Sequence, residues 1–272
     1  MARGKLQLAI RDDDLCFFTT WEELWQVYQP IWGRCPVSFS AIPFVSASPP
    51  FTDNVDSGHG RMPLGLNHRL VEILRSYVEN GCAEINLHGY DHKYVIRAKR
   101  RIPECYWKSR EQLYREVKEG KSYLEYLFGR PVQVFVPPSN SIDAKTVLAV
   151  EAAGMHLSAV MKLGIDRPPS LSYVRSYLLR WWFRLHNGLP YPYPLRVGKH
   201  LELAYYSLTR ASNAEHLRRA LHRCYSWSAP YVLAVHYWEL KQLEPLRQLL
   251  LQLVEEAIIL GFEPVRLSEC FR

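Results

Sequence analysis

Three adjacent aspartates, Asp12, Asp13 and Asp14, follow the apolar run Leu8-Ala9-Ile10 and Arg11. Asp is a poor strand former and neighbouring carboxylates repel, so the end of a buried-looking strand needs a reason to hold three. His88 and His92 stand four residues apart in LHGYDHKY, after another apolar run. If that turn becomes helical, both imidazoles lie on one face and can grip one metal ion. Gly89 between them permits a sharp turn. Pro137, Pro138, Ser139 and Asn140 end a further run in VFVPPSN, and His236 ends one in AVHYWE. Two neutral imidazoles and one carboxylate hold a metal with positions left for water. A second carboxylate, off the metal, can take a proton, and a protonated His236 can give one to a leaving nitrogen or oxygen. Each feature has a structural alternative: satisfied core histidines, or an aspartate cluster that caps the next helix.

Elements that would position these residues alternate along the chain. Apolar runs predict strands at 5–11, 36–44, 83–88, 132–136, 156–160, 201–206, 231–236 and 263–267. Most are continuously apolar, as in parallel strands buried on both faces. Helical periodicity covers 20–32, 66–80, 109–128, 142–153, 171–186, 213–226 and 243–260. Thr20 with Glu23 forms a capping box, and Gly81, Gly129, Gly154 and Gly261 follow helix ends. Seven or eight βα units predict an α/β fold, a single distorted (β/α)7-8 barrel spanning residues 1–272. A doubly wound open sheet is the alternative. In a barrel the four polar strand ends converge on one mouth. Two Pro-rich loops, 45–65 and 186–200, are candidate binding walls or plain surface excursions.

The chain is 48% apolar and 22% charged over 272 residues, enough for a large core and unlike a disordered sequence. Its net charge of +7 favours anions, though the Lys and Arg are spread out and no nucleic-acid partner is expected. The six Cys form no CxxC pair, which argues against a cysteine zinc site. No signal peptide or run of transmembrane length is evident, so a cytoplasmic setting is expected. Composition says nothing of the oligomeric state.

The ordered segments LAIRDDDL, LHGYDH, VFVPPSN and LAVHYWE resemble the motifs of the polysaccharide deacetylase family, carbohydrate esterase family four. The match is closest to a divergent branch with an RxDD-type first motif. That resemblance implies a divalent metal, most simply Zn2+, and removal of an N-acetyl group from an amino sugar or glycan. It assigns Asp13 as base, Asp14, His88 and His92 as metal ligands, and His236 as acid. Asp12 then points away from Asp13, since strand side chains alternate; Asp12 and Asp13 as base and ligand are the other register. Arg11, Pro138, Asn140 and Trp238 are expected around the substrate. The family's third-motif Arg is Val136 here, and Arg11, on Asp13's side of the strand, is the candidate replacement. Trp181-Trp182 reads as core rather than a sugar platform, and Glu104 as solvated rather than substrate-binding. Other readings are a glycoside hydrolase with paired carboxylates, or a non-catalytic carbohydrate-binding protein with a vestigial metal site.

Overall fold

The computed structural model describes residues 5–51, 54–55, 60–159 and 166–272. Residues 52, 53 and 56–59 of the first long loop, and residue 160 of the expected fifth strand, lie outside them. Ten strands make one curled sheet: β1 Gln7–Leu15, β2 Val37–Ala41, β3 Ala83–Leu87, β4 Val134–Phe135, β5 His156–Ser158, β6 Leu195–Val197, β7 His200–Leu203, β8 Tyr206–Ser207, β9 Tyr231–His236 and β10 Glu263–Pro264. Their order is β6-β7-β5-β4-β3-β2-β1-β9-β8, with β10 on β1. Every pairing is parallel except the β6–β7 hairpin. This is the expected α/β barrel-type fold, as a distorted half-barrel.

The expected helices form as α1 Trp21–Tyr28, α2 His68–Glu79, α3 Arg110–Phe128, α4 Ala144–Ala152, α5 Leu171–Asn187, α6 Ala214–Trp227 and α7 Glu244–Ile259. The Thr20–Glu23 capping box starts α1, and Gly129 ends α3 in the left-handed conformation. No helix among the described residues is long and apolar enough to cross a membrane.

All nine residues of β1 are buried, because both faces of the strand are covered. Leu8 and Ile10 join the large core beneath the helices. Ala9 faces the other way, packing with Val134, Val136, Leu203, Val232 and the C-terminal turn Leu267–Phe271. That apolar plug fills one end of the barrel and leaves the carboxyl ends of the strands for polar residues.

The expected strand 201–206 is in fact two. β7 pairs with β5 and β8 with β9, at opposite edges of the sheet. Only Ala204 and Tyr205 separate them, a step of about 10 Å at full extension. The sheet therefore curls until its edges nearly meet.

The β7 edge is held by charge. Glu202 is fully buried and accepts from Arg167 Nε (2.8 Å) and Nη2 (3.1 Å), Arg180 Nη1 (2.6 Å) and His200 Nε2 (3.0 Å). Burial works against its charge, but His200 and the two guanidiniums hold its carboxyl well below the usual range. A depressed carboxylate stabilises the fold above its unfolded pKa, about 4.5, and that stability is lost as pH falls below it. Glu202→Gln removes the charge that Arg167 and Arg180 share, leaving Asp166 on Arg167 at 3.0 Å, and should cost up to about 3–5 kcal/mol at neutral pH. Denaturant melts from pH 7 to pH 3 should show the variant losing less further stability on acidification than wild type.

Candidate metal centre

Arg11 and Asp13 follow Ala9 into the barrel by strand alternation, and Asp12 faces out. There Asp12 Oδ1 accepts the Tyr237 N–H at 2.9 Å, and burial raises its pKa well above the usual range. Alternation would send Asp14 outward as well. Instead the pairing with β2 shifts between Asp13 and Leu15, and Asp14 takes a positive φ of 79°. This bulge turns Asp14 back into the cavity beside Asp13. Asp13 and Asp14 are thus the pair at the mouth, and Asp12 does not line it.

His88 follows β3, and its Nδ1 lies 3.0 Å from the Val136 carbonyl, which leaves Nε2 facing the cavity. The turn after it does not become helical. A turn carries the chain to His92 through positive φ at Gly89 (66°) and His92 (53°). A side chain at Gly89 would collide with the Glu104 carboxylate and the Pro138 ring. Glu104, expected in solvent, is buried at 2% exposure. It accepts the N–H groups of Tyr90 (2.8 Å) and Asp91 (3.2 Å) and so shapes the turn. Below it, Asp91 binds Lys108 (2.8 Å) and Arg61 (2.7 Å), and Lys108 also reaches Glu116 (2.8 Å). Burial pushes the Glu104 carboxyl up, with Lys108 opposing and Asp91 adding to the rise. The Asp91 carboxyl falls below its usual range, because Lys108 and its other partners outweigh burial. Asn54 Nδ2 donates to the carbonyls of Asp91 (3.0 Å) and His92 (2.9 Å) from the opposite wall.

The result is a buried group of Asp14, His88 and His92 whose ligand atoms lie within 4.8 Å of one another. Asp14 Oδ1 is 3.2 Å from His88 Nε2 and 3.7 Å from His92 Nε2. Its Oδ2 accepts from Trp238 Nε1 at 3.0 Å. Burial opposes charge on Asp14, yet the His88 hydrogen bond and the nearby imidazoles hold its carboxyl below the usual range. Burial lowers His92 to about 4, so its ring is neutral at physiological pH, and its Nδ1 is buried without a partner. A carboxylate oxygen facing the Nε2 atoms of two imidazoles is a donor set that fits one divalent ion. Phe51 stacks on His92 at 4.5 Å between centroids.

Asp13 lies next to this group. Its Oδ2 takes the Arg11 Nη2–H at 2.7 Å, while Oδ1 is buried without a partner. Arg11 crosses the barrel to Ser158, donating to its carbonyl (3.1 Å) and Oγ (2.9 Å), and lies over the Tyr205 ring at 3.8 Å. His236 is paired directly opposite Asp13 on β9, with Nε2 3.8 Å from Asp14 Oδ2 and Nδ1 3.6 Å from Glu239 Oε2. Burial would lower its pKa, but Glu239 and the three aspartates raise it to about 9.

These residues line a cavity of about 250 Å³, whose walls include Phe51, Tyr94, Ser139, Asn140 and Tyr205. Arg11 and Asn140 are therefore at the cavity as expected. Pro138 instead packs under Gly89, where Pro137 reaches the wall, and Trp238 serves Asp14 from behind. Trp181 and Trp182, expected in the core, are 39% and 57% exposed on α5. Asp91 and Phe51 escaped the sequence reading, although Asp91 sits inside the LHGYDH motif itself.

A polysaccharide deacetylase family profile matches residues 52–158. No curated protein sequence matches the chain. Among solved structures, a polysaccharide deacetylase of Mycobacterium smegmatis, described as putative, superposes with a TM-score of 0.53 at 14% identity, covering 99% of this chain and 90% of that one. A mutant of a Bacillus anthracis CE4 pseudoenzyme gives 0.51 at 11% identity over 99% and 68%. A Clostridium thermocellum family 4 acetyl xylan esterase in complex with a cobalt ion gives 0.50 at 13% identity over 97% and 90%. The resemblance to the polysaccharide deacetylase family is thus borne out by profile and fold together.

The turn that carries His92 yields a test. Glu104→Ala removes the acceptor for two N–H groups and should weaken divalent-metal binding about 10–100-fold. Competition with a chromophoric chelator measures this, with His88→Ala as the variant that loses binding altogether. Gly89→Ala should behave like Glu104→Ala; wild-type affinity in both would show that the turn does not position the ligands.

Proposed function

We propose that this chain is a metal-dependent hydrolase that removes N-acetyl groups from an amino sugar or glycan. The observation that carries the reading is the Arg11–Asp13 pair beside the Asp14–His88–His92 group, facing His236 in one cavity. Asp14, His88 and His92 would hold the ion, with zinc the first choice for one carboxylate and two imidazoles. Such an ion, when bound, acidifies water and polarises a carbonyl.

The remaining roles fall to the chain's own groups. Asp13 accepts the proton of the attacking water on Oδ1, the oxygen that Arg11 leaves free. Arg11 fixes the rotamer of Asp13 through its 2.7 Å bond to Oδ2, the task that the family's third-motif Arg performs elsewhere. His236 is held protonated by Glu239 and the aspartates and donates to the departing amine. Tyr94 and Tyr205 offer ring surface to a pyranose, with Ser139 and Asn140 as polar contacts. The charge of +7 suits a substrate carried on phosphate, such as a nucleotide sugar or lipid-linked glycan. Six unpaired cysteines suit a reducing compartment, and we place the reaction in the cytoplasm.

A paired-carboxylate glycosidase needs carboxyl groups about 5–9.5 Å apart across the scissile bond. Among the described residues lining the cavity, the carboxylates are the adjacent Asp13 and Asp14, and the latter faces the histidines. A vestigial, non-catalytic site is the less favoured reading because Asp13 keeps a guanidinium partner, Arg11 at 2.7 Å.

Acetate release from N-acetylglucosamine oligomers and UDP-N-acetylglucosamine tests the proposal. Asp13→Asn in the zinc-loaded protein should lower the rate about 10²–10⁴-fold while metal content is unchanged. Glycosidic cleavage without acetate, or acetate release untouched by Asp13→Asn, would overturn the assignment.

A further inference from the structure

Helix α5 turns a fully apolar stripe to solvent. Leu171, Val174, Leu178, Trp181, Trp182 and Leu185 recur at spacings of three and four, and are 91%, 52%, 62%, 39%, 57% and 66% exposed. They run along four turns, about 21 Å of one face. The opposite face holds the helix to the body. Tyr173 and Ser176 are buried there, Ser176 Oγ donates to the Arg196 carbonyl (3.1 Å), and Arg180 binds Glu202. The stripe is therefore no unfinished core face, because the core-facing side is already occupied.

Charge identifies the partner. Between Arg167 and Leu201 the sequence has no Asp or Glu, but carries Arg175, Arg180, Arg184, Arg196 and Lys199. Arg180 is spent on Glu202, while Arg175 and Arg184 on the helix and Arg196 and Lys199 on the adjoining hairpin are exposed. The nearby Glu151 is engaged by the Lys199 N–H and by His200. A second copy meeting this face about a two-fold axis would bring these cations together without an acid from the same stretch to answer them. An anionic bilayer answers them everywhere, and takes Leu and Trp at the headgroup boundary.

We propose that α5 is a membrane-contact helix that lies in the surface of an anionic bilayer and docks the protein there. The helix lies on the membrane rather than crossing it, since no helix among the described residues has the length and apolarity to span. The inference goes beyond the hydrolytic reading and stands independently of it.

Sedimentation of the full chain with vesicles is the test. Phosphatidylcholine vesicles containing about one-third phosphatidylglycerol should pellet the protein, phosphatidylcholine alone should pellet much less, and added NaCl should release it. Leu178→Ser with Leu185→Ser should cut partitioning at least tenfold, by about two buried side chains' worth of transfer energy. Arg175→Glu with Arg184→Glu should reduce it on anionic vesicles only. Circular dichroism and thermal melts should be unchanged in both, since the altered side chains face water. The proposal is overturned if wild type ignores anionic vesicles, or if the variants bind like wild type. It is equally overturned if wild type sediments as a dimer without lipid and the serine variant dissociates it.

Discussion

A single guanidinium inside the barrel organises the rest. Arg11 is 2% exposed, and a charge so placed must find partners within the protein. It finds Asp13 on its own strand, Ser158 across the barrel and the Tyr205 ring at the seam. Those contacts join β1, β5 and the two-residue step between β7 and β8. The same group that neutralises Asp13 therefore also holds the far wall at a set distance. The apolar plug beneath it has a matching role, because it keeps water from reaching the guanidinium from the other end.

Above that layer the geometry depends on one local irregularity. A regular strand shows alternate residues to one face, so it cannot present two neighbouring aspartates to one cavity. The bulge after Asp13 and the positive φ at Asp14 break the alternation at the place where a base and a ligand must adjoin. The histidine turn uses the same device, with positive φ at Gly89 and His92. Backbone in these regions is unfavourable by itself. It is held here by Glu104 and Asn54 on the histidine side and by the Trp238 indole on the aspartate side.

What was legible in the sequence follows from this division. Strand alternation placed Arg11 and Asp13 together and sent Asp12 outward, and continuous apolar runs announced a parallel sheet. The order of the motifs was enough to put His236 beside β1. Alternation alone could not bring Asp14 inward, since a bulge leaves no mark in residue types. Glu104 read as solvated because its two acceptor bonds are to backbone N–H groups, which every sequence contains. The run 201–206 looked like one strand because apolar residues on either side of Ala204-Tyr205 serve different edges. Trp181-Trp182 looked like core because periodicity marks an apolar face without saying what covers it.

The outward-facing Asp12 shows what kind of change this site cannot absorb. It holds the Tyr237 N–H, the first of the short helix that follows His236. The three aspartates are alike in type but not interchangeable, since each is addressed by its orientation. Deleting or inserting one residue between Gln7 and Arg11 would leave the composition almost intact and exchange inward for outward along the whole strand end. Arg11 and Asp13 would turn toward the helices together while Asp12 entered the cavity. The length of β1 before its bulge is therefore as much a part of the site as the side chains it presents.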